Sequence, residues 1–145
     1  MQSQSPSFFR VISTDYPSFL SVLFPLVFGG FSAYFFFTGN DALQLFLILA
    51  IAVTIVGIPV LIQRYRMISS VFENGNETKA TVTSIYFFRG RGRVECVYTF
   101  QGKKQTSSNA INKNSRTRKL RVGQSVTVLV DSNNPQRAFI REIYL

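Results

Sequence analysis

The chain has 145 residues, 16 Lys/Arg against 7 Asp/Glu, and a formal charge of +9. It contains no His and a single Cys, Cys96. A histidine-based metal site, a histidine acid–base catalyst and an intramolecular disulfide are therefore excluded, and the lone thiol suits a reducing compartment.

Residues 1–15 open with Gln and Ser and then group Phe8, Phe9, Val11 and Ile12, which predicts a short segment lying in a bilayer interface. Residues 16–40 carry no charged side chain, and neither do residues 42–63. A hydrocarbon core about 30 Å thick is crossed by roughly 20 apolar residues, so both stretches are long enough. A helix of a soluble protein keeps one polar face, whereas 19–37 and 43–62 are apolar all round. So small a chain has no interior to hide two such helices. A cleavable signal peptide fits poorly, because only Arg10 precedes the first stretch and Gly30 and Ser32 lead into more Phe. The expectation is a hairpin of two transmembrane helices, 18–37 and 42–62, turned antiparallel by Thr38, Gly39, Asn40 and Asp41.

Ser21, Pro25, Gly29 and Ala33 recur every four residues in the first helix, and Ala50, Thr54 and Gly57 share a side of the second. Small residues let helix backbones approach closely in lipid, so these positions are the expected contact face. Pro25 and Pro59 are expected to kink or end their helices. Neither helix contains an ionisable residue, which points to an anchor, compatible with a homo-oligomer, rather than an ion or proton route. Arg64, Tyr65 and Arg66 are the expected membrane-anchoring residues at the headgroups. Arg10, Arg64, Arg66 and Lys79 flank the hairpin, while its turn has Asp41 and no Lys or Arg. The bias places both termini in the cytoplasm. The expected division is an interfacial segment 1–15, a membrane hairpin 16–66 and a soluble β domain 67–145.

Beyond residue 66 the pattern is that of a small all-β domain. Val94, Cys96, Tyr98 and Phe100 alternate as in a half-buried strand, and so do Val126, Val128 and Val130. Residues 78–88 form a β-branched and aromatic run with Ala80 and Val82 on one face. Gly90 and Gly92 interrupt the chain before the second strand, and Gly102 marks a turn from which 103–110 returns as a hairpin partner. Residues 137–143 read as a last strand. About five antiparallel strands in this length make a barrel-like or compact sheet.

Several short segments resemble a known family: Ala80-Thr81-Val82, Tyr98-Thr99-Phe100-Gln101-Gly102, Gly123-Gln124-Ser125-Val126-Thr127-Val128, and Val130-Asp131-Ser132-Asn133-Asn134-Pro135. Together they resemble the bacterial domain-of-unknown-function family 3592 over residues 75–145. That resemblance implies membrane helices paired with a small β domain, in a bacterial inner membrane, and carries no catalytic residues. Ser132 stands where the family's closing turn has its first Pro.

The acids of the soluble part are Glu73, Glu77, Glu95, Asp131 and Glu142, and no two are spaced as a general acid/base pair. Cys96 has no His partner and lies on an apolar strand face, so it reads as a core residue. Arg89-Gly90-Arg91-Gly92-Arg93 lacks the Gly-Lys-Ser/Thr ending of a phosphate loop. The expectation is a non-enzymatic module with no metal and no cofactor. Its basic side chains fall in two clusters: Arg89, Arg91 and Arg93, then Lys113, Arg116, Arg118, Lys119 and Arg121. A merely solvated basic surface is one reading. Contact with anionic lipid headgroups, or with a membrane or cytoplasmic partner protein, is the sharper one, since each Lys or Arg near an anionic bilayer contributes about 1 kcal/mol. A membrane-tethered nucleic-acid binder is the rival, with Arg91 and Arg93 beside Tyr86, Phe87 and Phe88. The anchor and the absence of a recognition motif count against it.

Overall fold

The computed structural model describes residues 5–145. Three helices come first: α1 (Phe8–Thr14), α2 (Tyr16–Thr38) and α3 (Leu43–Asn74). Ser7 caps α1 by accepting the Arg10 N–H. Asp15 caps α2, with Pro17 in its first turn where a missing N–H costs nothing. Gly39 ends α2 at φ +63°, a left-handed geometry that a Cβ disfavours, and the chain reverses into α3.

Both long helices are apolar enough to cross a membrane, and within the most apolar window of each only 6% of the residues are buried. Neither is therefore the hidden core helix of a soluble fold. Pro25 and Pro59 lie inside α2 and α3 without ending them. Pro25 has no N–H to give the Ser21 carbonyl. Gly57 of α3 presents its backbone at that carbonyl, and a Cβ there would lie 2.8 Å from the oxygen.

The expected helix contact face holds in part. Ser21 and Gly57 meet as read, but Gly29 has open space around it and Ala33 is exposed. A step of four residues turns about 400°, so a strict four-residue series drifts roughly 40° per step. The true face follows Ser21, Pro25, Phe28, Ser32 and Phe35, with Phe28 and Phe35 packing on Phe46 at 6.1 and 5.0 Å between ring centroids.

Arg66 does not mark the end of the second helix. α3 runs on to Asn74 and buries Ile68, Val71 and Phe72 in the core of the β domain. The expected interfacial segment 1–15 lies in part, at residues 1–4, outside the described residues; within the rest Val11 and Thr14 are fully buried against that domain. The Thr14 hydroxyl donates to the Ile143 carbonyl at 3.2 Å.

Five strands follow: β1 (Asn76–Phe88), β2 (Arg91–Phe100), β3 (Lys103–Asn112), β4 (Ser125–Val130) and β5 (Ala138–Ile140), ordered β3-β2-β1-β4-β5 and antiparallel throughout. The β2–β3 hairpin turns on Gln101 and Gly102, both at positive φ, which matches the right-handed twist of its strands. The Asn109 amide donates to the Ala138 carbonyl at 2.9 Å, drawing the two edge strands together into a nearly closed, barrel-like sheet. The last strand is shorter than the expected 137–143. After Ile140 the Glu142 carboxylate takes the Thr127 N–H at 2.8 Å, and a single helical turn, α4 (Arg141–Tyr144), drives Ile143 and Tyr144 into the core.

The register of β1 against β2 shifts between Val82 and Ser84. This bulge reverses the side-chain alternation. Ala80 and Val82 point inward before it, and Ile85 and Phe87 pack on the core after it. Tyr86 and Phe88 are thereby turned outward.

Gly57→Leu is expected to destabilise the protein by about 1–3 kcal/mol through overpacking at Ser21, while Gly29→Leu leaves the melting temperature unchanged. Thermal unfolding in detergent checks both.

Candidate functional site

The α1–α2 junction fixes everything around the site. Asp15 is fully buried, bridges its backbone to Ile111 of β3, and accepts the Ser18 N–H at 3.0 Å and the Ser18 hydroxyl at 2.6 Å. Arg64 of α3 reaches the same carboxylate with two nitrogens, Nε at 3.2 Å from Oδ2 and a terminal nitrogen on Oδ1. Tyr144 is buried nearby, its hydroxyl unbonded among the described residues, and burial pushes its ionisation far up. Of the three expected anchors, Arg64 is thus engaged inward and Tyr65 packs edge-on against Phe8 at 5.4 Å, while Arg66 stays exposed. Asp15 was not among the site residues read from the sequence. Its signal was present: an Asp two residues before a Pro, opening an apolar run.

The two basic clusters are regrouped, because Lys113 of the second joins Arg89 and Arg91 of the first along one groove. Arg91 and Arg93 stand on the outer face of β2, opposite Phe88 and Tyr86 of β1, so the bulge creates a face of paired aromatic and basic side chains. Arg89 occupies the hairpin turn at φ +56°, where a residue with a Cβ is uncommon. The Arg89 and Arg91 guanidiniums lie 5.3 and 5.8 Å from the Phe88 ring centre, and the Lys113 ammonium lies 5.8 Å from that of Phe87. The Lys113 N–H donates to the Gly90 carbonyl at 2.9 Å, tying the end of β3 to this turn. Asn112 and Asn114 donate side-chain N–H groups to carbonyls of Ile12 and Ser13, tying it to the α1–α2 junction.

Between these parts lies an open groove of about 700 Å³. One wall is Tyr16, Phe19, Leu20 and Leu23 of α2, and the other is Phe88, Arg89, Arg91 and Lys113. Arg116 lines an adjoining groove with Phe9 and Arg10. Arg93 faces neighbouring hollows. Arg118, Lys119 and Arg121 belong to the loop around a short 3-10 turn, where Arg121 donates to the Arg118 and Leu120 carbonyls. Among the described residues three ion pairs form, Arg64–Asp15, Arg137–Asp131 and Arg141–Glu77, and none uses either basic cluster.

Cys96 is buried as expected, and burial pushes its thiol up to about 12. No cluster of three or more metal-binding side chains occurs among the described residues. Native Cys96 is expected to resist thiol reagents at about pH 8 and to react on denaturation. Its pKa is raised by folding from an ordinary 9.0, so the stability tied to the neutral thiol is complete below about pH 9 and declines as pH rises towards about 12. Denaturant titrations across that range check the sign.

Arg64→Ala should cost about 3–5 kcal/mol, because it removes the counter-charge of a fully buried carboxylate, and Asp15→Ala should cost less through charge, because Arg64 is 28% exposed and reaches solvent. The double change Asp15→Leu with Arg64→Met should recover part of that loss in the same unfolding assay.

Residues 66–142, more than half of the chain, match the family described as a domain of unknown function, DUF3592. No curated protein and no solved structure matches the chain. The matched segment begins inside α3 and runs through all five strands, so it takes in the helical strut together with the sheet. The chain belongs to the DUF3592 family.

Proposed function

We propose that this protein is a non-enzymatic interaction module, anchored in a membrane by the α2–α3 hairpin, whose basic β domain docks on anionic lipid headgroups. The anchor is supported by two long apolar helices that this chain leaves uncovered. The reading rests chiefly on one observation: both basic clusters, none of whose cations forms an ion pair among the described residues, belong to the β domain, which is joined to the hairpin where α2 begins and α3 leaves it. A domain tethered there stays close to the headgroups, where each Lys or Arg that comes within a Debye length contributes about 1 kcal/mol. The flanking Arg10, Arg66 and Lys79 support a reading with both termini on the cytoplasmic side, and the family resemblance supports a bacterial inner membrane.

A nucleic-acid reading draws on the Tyr86, Phe88, Arg91 and Arg93 face, which offers stacking and phosphate contacts together. Lipid docking is favoured because it also uses Lys113 and Arg116 beside the apolar groove walls.

Full-length protein in nanodiscs containing phosphatidylglycerol should show slower amide exchange over residues 86–93 and 113–121 than in phosphatidylcholine alone. Salt should abolish the difference. Equal exchange in the two lipids at low salt would contradict lipid docking. Protection by single-stranded oligonucleotide in neutral discs would instead select the nucleic-acid reading.

A further inference from the structure

We infer that the groove between the first turns of α2 and the β1–β2 hairpin tip seats one anionic phospholipid, its phosphate held by Arg89, Arg91 and Lys113. This rests on the membrane reading above and goes beyond it, from a diffuse basic face to a single stoichiometric site.

The groove has the right two-sided chemistry. Phe19, Leu20 and Leu23 form one wall, and three cations with no acidic partner among the described residues stand on the other. Its volume, about 700 Å³, falls in the range of small-molecule sites. The stretch from Tyr16 to Leu23 rises about 10 Å, enough for a headgroup and glycerol. Leu20, Leu23, Phe24 and Val27 follow helical spacing, so the apolar wall continues up α2 as a stripe on which exposed Phe24 and Val27 can meet an acyl chain.

The cations are also pre-arranged. Phe88 carries Arg89 and Arg91, Phe87 carries Lys113, and the Lys113–Gly90 backbone bond ties the end of β3 to the turn that bears Arg89. Arg89 keeps a left-handed backbone that glycine would adopt more readily, an outlier of the kind found at ligand contacts. A nucleic acid would leave the Phe19–Leu23 wall uncovered. A phospholipid satisfies both walls, and its tails continue into the bilayer that the hairpin already occupies.

The test is native mass spectrometry of the full-length protein, released from mild detergent after incubation with phosphatidylglycerol or phosphatidylcholine. One phosphatidylglycerol should be retained per chain. The triple change Arg89→Gln, Arg91→Gln, Lys113→Gln should weaken retention by about a hundredfold, taking about a fivefold loss per removed contact. The triple change Arg118→Gln, Lys119→Gln, Arg121→Gln should leave it unchanged. Circular dichroism melting confirms that both variants fold. Equal weakening in the two variants would overturn the seat while sparing diffuse docking. No preference over phosphatidylcholine would overturn both. Full displacement of the lipid by excess inorganic phosphate would overturn the seat in favour of a free-anion site.

Discussion

The buried carboxylate of Asp15 is the constraint around which the molecule is arranged. It is fully buried, so its charge is compensated by the Arg64 guanidinium and by the α2 N-terminus that it caps. Those partners come from separate parts of the chain, and its backbone adds a bridge to Ile111 of the sheet. One residue thus fixes both helices and the β domain to each other. A charge pair buried this way adds little net stability, but it permits few alternative arrangements, because every other one strands a charge.

The consequence is that the β domain does not hang from the hairpin as a separate bead. Val11 of α1 and Ile68, Val71 and Phe72 of α3 complete its core, and the Ile143 carbonyl receives the Thr14 hydroxyl. The groove exists because of this attachment: one wall belongs to α2 and the other to the hairpin tip, and only a rigid joint holds them at a constant separation. The bulge between Val82 and Ser84 then decides which side chains reach the rim, turning Phe88 outward as a platform for Arg89 and Arg91.

Much of the fold was legible in the sequence because its signals are local and periodic. The uncharged runs marked α2 and α3, and the alternation from Val94 to Phe100 marked β2 and its inward face. What escaped reading depends on partners far along the chain. Arg64 and Arg66 look like the end of a membrane helix, and only the β core shows why α3 continues through Ile68, Val71 and Phe72. The Ala33 assignment failed because a four-residue step drifts around the helix. The Val82/Ser84 bulge leaves no composition signal, and Ile143 and Tyr144 suit a strand by type but are taken into a helical turn. Of the candidate site, the residue types were visible, whereas the separation of Arg89, Arg91 and Lys113 from Arg118, Lys119 and Arg121 follows from loop geometry.

The Asp15–Arg64 pair holds the basic hairpin tip against α2. The most direct measurement is the distance distribution between spin labels at positions 23 and 89, in full-length protein carrying Cys96→Ala and reconstituted in lipid. A single narrow distance that broadens on Asp15→Asn is the result expected. A distribution that is broad from the start, or that Asp15→Asn leaves unchanged, would contradict the account.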